Sequence, residues 1–414
     1  MGKFLKILIG VVVATGLALA VGAATLTVLG LPEYDIAIPE LEVDHSPEQV
    51  ARGKRLAGML CIRCHLSSVS RRFEGRTIER VPWRVRTLAS ANLTGDPDHG
   101  LGAWSDGEIA YVLRTGVHPK KKRLLVPIMP RWPRLATDDL EAIVAFLKSD
   151  DPLVEPSDKA RPELKTNLWT KYYAYVDWEP FAFPRAHIPS PSVDDPVAYG
   201  EYLVDSVLQC HGCHNAEVAG SETIDARGLP GYLGGGTEFA GIGVKTVTSA
   251  NLTPHAKALG PWTMGDLRRA LIDGFRPDGE VLRWPMRRYA ELSESEVEAI
   301  YAYLRTVPPL AREAPRQTIR NLGARADSGL HVFQKYGCVH CHGPQGQGLV
   351  DMRDVDEKFE TDEDLTAFLK NPAESGELIM PSWDGVVAEE DYPALCEISR
   401  RLSREQTERL GDAG

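Results

Sequence analysis

Cysteine is scarce in this chain, with seven among 414 residues. That is too few for a disulfide scaffold, and an odd number cannot all pair internally. An excess of basic charge is also missing, because 58 acidic and 47 basic side chains give −11, which argues against nucleic-acid binding. After residue 31 no stretch approaches 18 consecutive apolar residues, which excludes a polytopic membrane protein. The length predicts two to four domains.

One long apolar run is present, and it lies at the N-terminus. Ile7–Leu31 is an uncharged stretch of 25 residues that follows Lys3 and Lys6. A membrane-spanning helix needs about 20 apolar residues, whereas the apolar part of a cleavable signal has about 7–15. We predict an anchor within residues 1–35, although cleavage near Ala18-Leu19-Ala20 stays open. The two lysines predict a cytoplasmic N-terminus, and hence a single-pass protein of the bacterial cytoplasmic (inner) membrane with its later domains in the periplasm.

Six of the seven cysteines fall into three identical C-x-x-C-H patterns. They are CIRCH (Cys61, Cys64, His65), CHGCH (Cys210, Cys213, His214) and CVHCH (Cys338, Cys341, His342). On one helical turn each thiol can add to a haem vinyl group, and the following His can then ligate the iron. A zinc site would need a second pair of ligands at each motif. A thioredoxin-type pair would lie in a βαβ context. The pattern therefore predicts three covalently bound haem c groups.

Methionines are candidates for the second axial ligand of each iron. Three of them follow a motif in an apolar, proline-flanked loop that precedes a helical stretch: Met129 in PIMPRW, Met286 in RWPMRRY and Met380 in LIMPSW. The adjacent proline stiffens a loop that must hold a weakly bound thioether. Methionine is also a common core filler, which is the interpretation we favour for Met59; Met264 and Met352 are weaker candidates. His/Met ligation fills both axial positions and raises the reduction potential relative to bis-His ligation.

The sequence SANLT, at 90–94 and again at 249–253, marks an internal repeat. The offset between the two copies is 149 residues at the first motif cysteine, 159 at SANLT and 157 at the loop methionine. This pattern indicates duplicated domains with an insertion of about ten residues in the second copy, which we place in GYLGGGTEFAGIGV. We predict that SANLT forms a loop at the haem edge, in which Asn92 and Asn251 hydrogen-bond.

The repeat also carries a resemblance to a known family. YGEYLVDSVLQCHGCH, YLGGG, the N-L-T loop followed by Gly-x-Trp, and the proline-flanked Met resemble the cytochrome c subunit of membrane-bound alcohol and gluconate dehydrogenases. The resemblance covers about 260 of 414 residues. It implies three haems on one chain that pass electrons from a dehydrogenase subunit to quinone. The last segment, with CHGPQGQG and FLKNPAESGELIMPSW, instead resembles a single-haem class I cytochrome c.

We therefore predict an all-α fold of three class I cytochrome c-like domains in tandem after the anchor. The domains are 45–150, 190–310 and 324–410, and a Pro-rich linker at 151–189 joins the first two. Each would have three or more helices around one haem, because so small a domain buries little apolar surface of its own. Within the motifs, His211 and His340 are expected at the surface. Cys396 is expected as a buried free thiol, with an intermolecular bridge as the alternative.

Charge is distributed unevenly along the chain. Residues 45–150 hold 18 Lys/Arg and 11 Asp/Glu, whereas residues 324–414 hold 9 and 19. Solvated faces would explain this, but opposite poles also suit different partners, because complementary charge steers encounter. The KKKR run at 120–123 could meet anionic lipid headgroups or an acidic partner. The acidic last domain could meet a soluble cytochrome.

Together these features predict a membrane-anchored periplasmic tri-haem cytochrome c of a respiratory chain. It would relay electrons between a membrane-bound or membrane-embedded partner, such as a respiratory dehydrogenase or quinol-oxidising complex, and a soluble cytochrome or terminal complex. We expect an electron-transfer protein or subunit more than an enzyme by itself, and no nucleic-acid partner. The alternative is a haem enzyme, such as a peroxidase or a sulfur-compound oxidase, which needs one open iron site.

Overall fold

Helices account for most of the structure. The computed structural model describes residues 2–67, 70–78, 85–127, 129–162, 164–215, 217, 225–240, 246–312, 328–343, 346, 352–372 and 380–411. The helices are α1 Lys3–Leu29, α2 Pro47–Leu60, α3 Ile62–His65, α4 Asp106–Thr115, α5 Thr137–Leu147, α6 Leu168–Val176, α7 Pro196–Glu201, α8 Met264–Arg268, α9 Glu294–Leu304, α10 Ser328–Lys335, α11 Val339–His342, α12 Val355–Lys358, α13 Asp362–Lys370 and α14 Tyr392–Gly411. An all-α fold was expected, and the structure confirms that the fold is mostly helical.

Short antiparallel strands, which the sequence did not predict, accompany the helices. They are β1 Thr77–Ile78, β2 Val85–Ala89, β3 Val117–His118, β4 Arg123–Leu124, β5 Lys165–Thr166, β6 Glu238–Ala240 and β7 Thr246–Thr248. β1, β2 and β5 form one sheet, and β3–β4 and β6–β7 form two-stranded ones. At two to five residues they are too short to show an alternating pattern. β2 and β7 each lead directly into a SANLT segment.

The chain divides into two compact units. Unit 1 comprises residues 1–57 and 61–189, and unit 2 comprises residues 58–60 and 190–414. The first motif lies in unit 1, and the second and third motifs lie in unit 2. The division into three haem domains remains a prediction.

Helix α1 has the dimensions of a membrane span. Its residues Phe4–Leu29 are long and apolar enough to cross a bilayer, and none of that stretch is buried inside the protein. A signal sequence near an N-terminus passes the same test. The length and composition predicted for the anchor are therefore present in a single continuous helix.

In each of the two repeats a glycine lets the helix before the motif cross closely over a later helix. A Cβ atom on Gly53 of α2 would collide with the carbonyl oxygen of Ala142 in α5, and one on Gly200 of α7 would collide with that of Ala299 in α9. Only glycine leaves room for the two backbones to approach this closely. The helix before the motif and the last helix of each repeat are therefore in direct backbone contact.

The last segment has its own apolar core, to which the second repeat contributes one fully buried side chain. Buried members of this core include Phe333, Leu365 and Ile398, together with Phe275 from the second repeat. Phe275 meets Trp383 edge to face, with ring centroids 5.3 Å apart. Within unit 2, the second and third motif segments therefore share a packed contact.

Candidate haem sites

All three C-x-x-C-H motifs adopt one helical turn. The backbone N–H of each motif histidine bonds to the backbone carbonyl of the first motif cysteine, at 3.0 Å for His65, 2.9 Å for His214 and 3.0 Å for His342. This closure of residue i on residue i+4 places both thiols and the imidazole along one short stretch of helix. It is the arrangement that two thioether links and one iron ligand require.

The first two motif histidines are buried and held in one tautomer. His65 Nδ1 donates to the Ala91 carbonyl at 2.8 Å, and His214 Nδ1 donates to the Ala250 carbonyl at 2.7 Å. Each carbonyl belongs to a SANLT segment, and because a carbonyl only accepts, Nε2 keeps its lone pair. Such a bond on the remote nitrogen is the usual support for an imidazole ligand.

Burial keeps these imidazoles neutral at physiological pH. Burial lowers the pKa of His65 to about 4, even though the hydrogen bond to Ala91 acts to raise it. Burial likewise lowers the pKa of His214 against the bond to Ala250. A metal-binding imidazole must be neutral, so both side chains are ready to ligate.

In each repeat a glycine packs against the SANLT segment and hydrogen-bonds to the backbone of the motif histidine. Gly75 N–H bonds to the His65 carbonyl at 2.9 Å, and Gly235 N–H bonds to the His214 carbonyl at 2.9 Å. Both have positive φ (77° and 65°), and a Cβ on Gly235 would collide with Ala250. These equivalent bonds correct the predicted site of the insertion. Eleven extra residues lie between His214 and Gly235, so the insertion precedes Gly235.

The SANLT asparagines tie the loop to the chain that follows each domain's last helix. Asn92 Nδ2 donates to the carbonyls of Ser157 (2.8 Å) and Lys159 (3.2 Å), and its Oδ1 accepts from the N–H (2.9 Å) and hydroxyl (2.7 Å) of Thr94. The predicted bonds within the loop are thus confirmed. The bonds to the later chain are additional, and they hold the carbonyl that orients the histidine.

Asn251 repeats the same set of bonds in the second copy. Its Nδ2 donates to the carbonyls of Leu310 (2.8 Å) and Arg312 (2.9 Å), and its Oδ1 accepts from the N–H (2.9 Å) and hydroxyl (2.8 Å) of Thr253. Both asparagines are buried, at 2% and 4% exposure. The duplication seen in the sequence therefore extends to the framework that supports the ligand.

The predicted methionine ligands all lie in loops and are all partly buried. Met129 follows β4, Met286 lies between α8 and α9, and Met380 packs against the apolar core of the last segment. Met59 is 1% exposed, which supports its interpretation as a core residue. Met352 is also buried, in the apolar core of the last segment. Ligation by the three loop methionines remains a prediction.

Electrostatics connect the Met286 loop with the second motif. Burial raises the pKa of Tyr289, and the thiols of Cys210 and Cys213 are among the groups that raise it further. Tyr289 follows Met286 by three residues, so this loop lies within electrostatic range of both motif thiols. The fold thereby brings a predicted distal loop to its own motif.

Two arginines of unit 1, which the sequence did not single out, support the first site. Arg161, from the predicted linker, donates from Nε to the Ala89 carbonyl at 2.7 Å, and its charge acts to lower the pKa of both His65 and His118. Arg114 is 2% exposed and donates from Nη1 to the carbonyls of Trp132, Pro133 and Leu135. The first therefore adds positive charge beside the motif, and the second fixes the loop that follows Met129.

The position of His211 corrects a prediction. It was expected at the surface but is 4% exposed, and its Nδ1 lies 3.7 Å from Asp205 Oδ1. Asp205 is itself buried and accepts from the hydroxyls of Tyr232 (2.6 Å) and Tyr303 (3.3 Å). This polar cluster covers the motif, a long-range effect that its local sequence cannot show. The side chain of His340 lies outside the described residues.

Burial disfavours ionisation of the two thiols of the third motif. Burial raises the pKa of Cys338 to about 12 and that of Cys341 to about 11, whereas a reactive or metal-binding thiol has a lowered pKa. Across the described part of the chain, no three His, Cys, Asp or Glu side chains are grouped so as to hold a metal ion. Cys396 is fully buried, with Thr366 Oγ1 3.4 Å from its Sγ.

Comparison with known proteins agrees with this chemistry. Residues 324–397 match the family model of cytochrome c oxidase, cbb3-type, subunit III. The chain is 26% identical, over 70% of its length, to the cytochrome c subunit of the alcohol dehydrogenase (quinone) of Gluconacetobacter polyoxogenes, of which it covers 64%. It is 28% identical, over 71% of its length, to a diheme cytochrome c-type of Cereibacter sphaeroides, of which it covers 96%. The chain is thus similar to c-type cytochromes both in its last segment and over about 70% of its length.

A third relative is also the cytochrome subunit of a dehydrogenase. The fructose dehydrogenase cytochrome subunit of Gluconobacter japonicus is 26% identical over 74% of this chain, which covers 66% of that protein. Cytochrome subunits of dehydrogenases thus recur among the relatives. The similarities support covalently bound haem c and an electron-transfer role.

Proposed function

We propose that this protein is a membrane-anchored periplasmic cytochrome c with three haems, which relays electrons between a respiratory dehydrogenase or quinol-oxidising complex and a soluble cytochrome or terminal complex. The observation that carries the proposal is the set of three identical helical turns, two of them with a buried neutral histidine oriented by a backbone carbonyl. A haem on each motif would supply an iron that gains and loses one electron.

Each part of the motif has a separate task in this proposal. The two thiols would bind the macrocycle, and the imidazole Nε2 would ligate the iron. Met129, Met286 and Met380 would ligate the other side, leaving no open position for a substrate. The hydrogen bond from Nδ1 to a backbone carbonyl makes the imidazole a stronger donor and holds its orientation. The protein therefore sets the potential through ligand identity and this bond.

Arg161 fits the carboxylates of a haem in the first site. Burial lowers the pKa of its guanidinium, which means that the folded chain holds a cation where an anion would stabilise it. Its charge reaches both His65 and His118. Haem carries two propionate groups, and a guanidinium binds carboxylates through paired charge-assisted hydrogen bonds. We assign Arg161 to that contact.

The partners are proposed from similarity and charge. Two of the relatives are cytochrome subunits of dehydrogenases, which suggests a dehydrogenase as the electron donor. The acidic last segment would meet a basic acceptor. Asp362 pairs with Arg400, and the Asp364 carboxylate accepts from the Thr361 N–H in the capping box of α13, so these carboxylates serve the fold. Other carboxylates there are exposed to an approaching partner: Glu357, Glu360 and Glu363.

Counting the haems tests the proposal. Pyridine haemochrome analysis should give three c-type haems per chain. Replacing Cys338 and Cys341 with Ala should leave two. Cys396→Ala is the matched control, because that thiol is outside any motif, and it should leave three. A count of two in the unmodified protein that stays at two in the Cys338 and Cys341 variant would exclude a haem on the third motif.

Carbon monoxide distinguishes the relay from a haem enzyme. A peroxidase or a sulfur-compound oxidase needs one iron with an open or labile position. With methionine on every iron, the reduced protein should bind no carbon monoxide at neutral pH. Rapid binding by one haem would favour the enzyme.

A further inference from the structure

Helix α6 presents an aromatic and apolar face to solvent. Trp169, Tyr172 and Tyr175 are 52%, 44% and 43% exposed, and Leu168 and Val176 are also exposed. Trp169 and Tyr172 meet edge to face at 6.3 Å. An exposed group of large apolar side chains marks a surface that something else covers. The helix is well formed, because Asn167 and Thr170 make a capping box at its start.

The position of α6 along the chain indicates what covers it. Helix α6 packs against α1, and Lys171 Nζ donates to the Thr27 carbonyl at 3.1 Å, within the last turn of α1. Immediately after α1, the hydroxyl of Tyr34 donates to the Trp178 carbonyl at 3.3 Å, just beyond the end of α6. The aromatic face is thus continuous with the outer end of the apolar helix.

A basic loop lies at the same place. Tyr34 N–H bonds to the Lys122 carbonyl at 2.8 Å, and Glu33 pairs with Arg123 at 2.8 Å. Lys120, Lys121 and Lys122 are exposed. The three ammonium groups therefore lie on the loop that the chain contacts as it leaves α1. Tyrosine and tryptophan concentrate at the membrane–water boundary, and lysines near a membrane attract anionic headgroups.

We propose that α6 and the Lys120–Lys122 loop form a lipid-facing surface of unit 1, seated in the headgroup layer of a bilayer that contains anionic phospholipid. The inference rests on the proposed membrane anchor and extends it. The anchor would be fixed to the first haem segment at two places, by the connection through Tyr34 and by α6. The first segment would then have a defined orientation on the membrane.

Lipid cross-linking on the full-length holoprotein tests this surface. The protein is placed in nanodiscs of phosphatidylcholine and phosphatidylglycerol that contain a phosphatidylcholine with a diazirine near the glycerol end of its acyl chain. After illumination, mass spectrometry locates the adducts. We expect adducts on α1 and on residues 167–178. The control is another exposed apolar stretch, around Val193 and Val197, which should carry none.

The two membrane contacts give separable results. Adducts on α1 without adducts on 167–178 would overturn the inference while leaving the anchor in place, and would leave the aromatic face to a protein partner. No adducts on either segment would contradict the anchor as well. Equal labelling of the control stretch would show that the probe reacts without regard to depth, and the inference would then have no support.

Two variants separate the aromatic and basic contributions. Replacing Trp169, Tyr172 and Tyr175 with Ser should abolish the adducts on 167–178 and keep those on α1, and an unchanged haem count would show that the fold is retained. Replacing Lys120, Lys121 and Lys122 with Gln should reduce the adducts to the level found in nanodiscs without phosphatidylglycerol. Adducts that neither variant changes would contradict the inference.

Discussion

Replacing Asn251 with Ala should loosen the second SANLT segment and, through it, the histidine ligand. The substitution removes four hydrogen bonds of 2.8–2.9 Å from a side chain that is 4% exposed. A typical bond contributes about 1 kcal/mol net. Because the Leu310 and Arg312 carbonyls are only partly buried and can bind water instead, we expect a loss of about 2–4 kcal/mol in local stability.

Amide hydrogen exchange and a redox titration measure this loss. Each 1.4 kcal/mol changes the equilibrium constant for local opening about tenfold. Amide exchange at 249–253 should therefore accelerate by about 30-fold to 1,000-fold. The bond from His214 to Ala250 would weaken, and a less basic imidazole favours ferrous iron. The potential of the second haem should therefore rise, by about 40 mV for each kcal/mol of difference between its two oxidation states.

Two variants control this experiment. Thr253→Ser keeps the hydroxyl that Asn251 accepts and should behave like the unmodified protein. Asn92→Ala removes the equivalent bonds in the first copy and should affect residues 90–94 and the first haem alone. Unchanged exchange at 249–253 together with an unchanged second potential would refute the idea that the asparagine supports the ligand.

Three further predictions concern ligation, docking and pH. Replacing each predicted axial methionine with His should lower one potential, because imidazole is the stronger donor; an unchanged titration excludes that methionine as a ligand. Electron exchange with a basic acceptor should slow as salt shortens the Debye length from about 30 Å at 0.01 M to about 8 Å at 0.15 M. Changing Glu357, Glu360 and Glu363 to Gln should weaken this dependence, whereas changing Lys120–Lys122 should not; the opposite result would assign docking to the first segment. Burial would raise the pKa of Glu74, but hydrogen bonds from neighbouring lysine and serine side chains overcome it and lower the pKa to about 2. The stability that this carboxylate contributes is present above about pH 4.5 and is lost as the pH falls towards 2; unfolding of the Glu74→Gln variant should depend less on pH in that range.

The features that covalent chemistry dictates could be read from the sequence. Haem attachment requires two cysteines and a histidine at one spacing, and the structure forms the corresponding turn at Cys61, Cys210 and Cys338. The duplication was also visible, because SANLT recurs letter for letter. The asparagine is kept in both copies with the same four bonds, so an identity in sequence corresponds to an identity in hydrogen bonding.

Other features could not be read because they involve the backbone or distant parts of the chain. The carbonyls of Ala91 and Ala250 orient the histidines, yet any residue carries a carbonyl. Arg161 lies in a Pro-rich stretch that was interpreted as a linker, and only folding brings it to the first motif. His211 lies beside Asp205, which in turn accepts hydrogen bonds from two tyrosines that are remote in sequence. Ligation by the three loop methionines remains a prediction.

The edge-to-face contact of Phe275 with Trp383 has a mechanical consequence. Phe275 stands at the start of the loop that carries Met286, while Trp383 follows Met380 by three residues. Each ring is almost fully buried, and both belong to one apolar cluster. If the last segment opened, Phe275 would lose its cover and the loop of the second repeat would lose its fixed end. Unfolding of the third motif segment would therefore spread to the second, and the two should unfold together on heating.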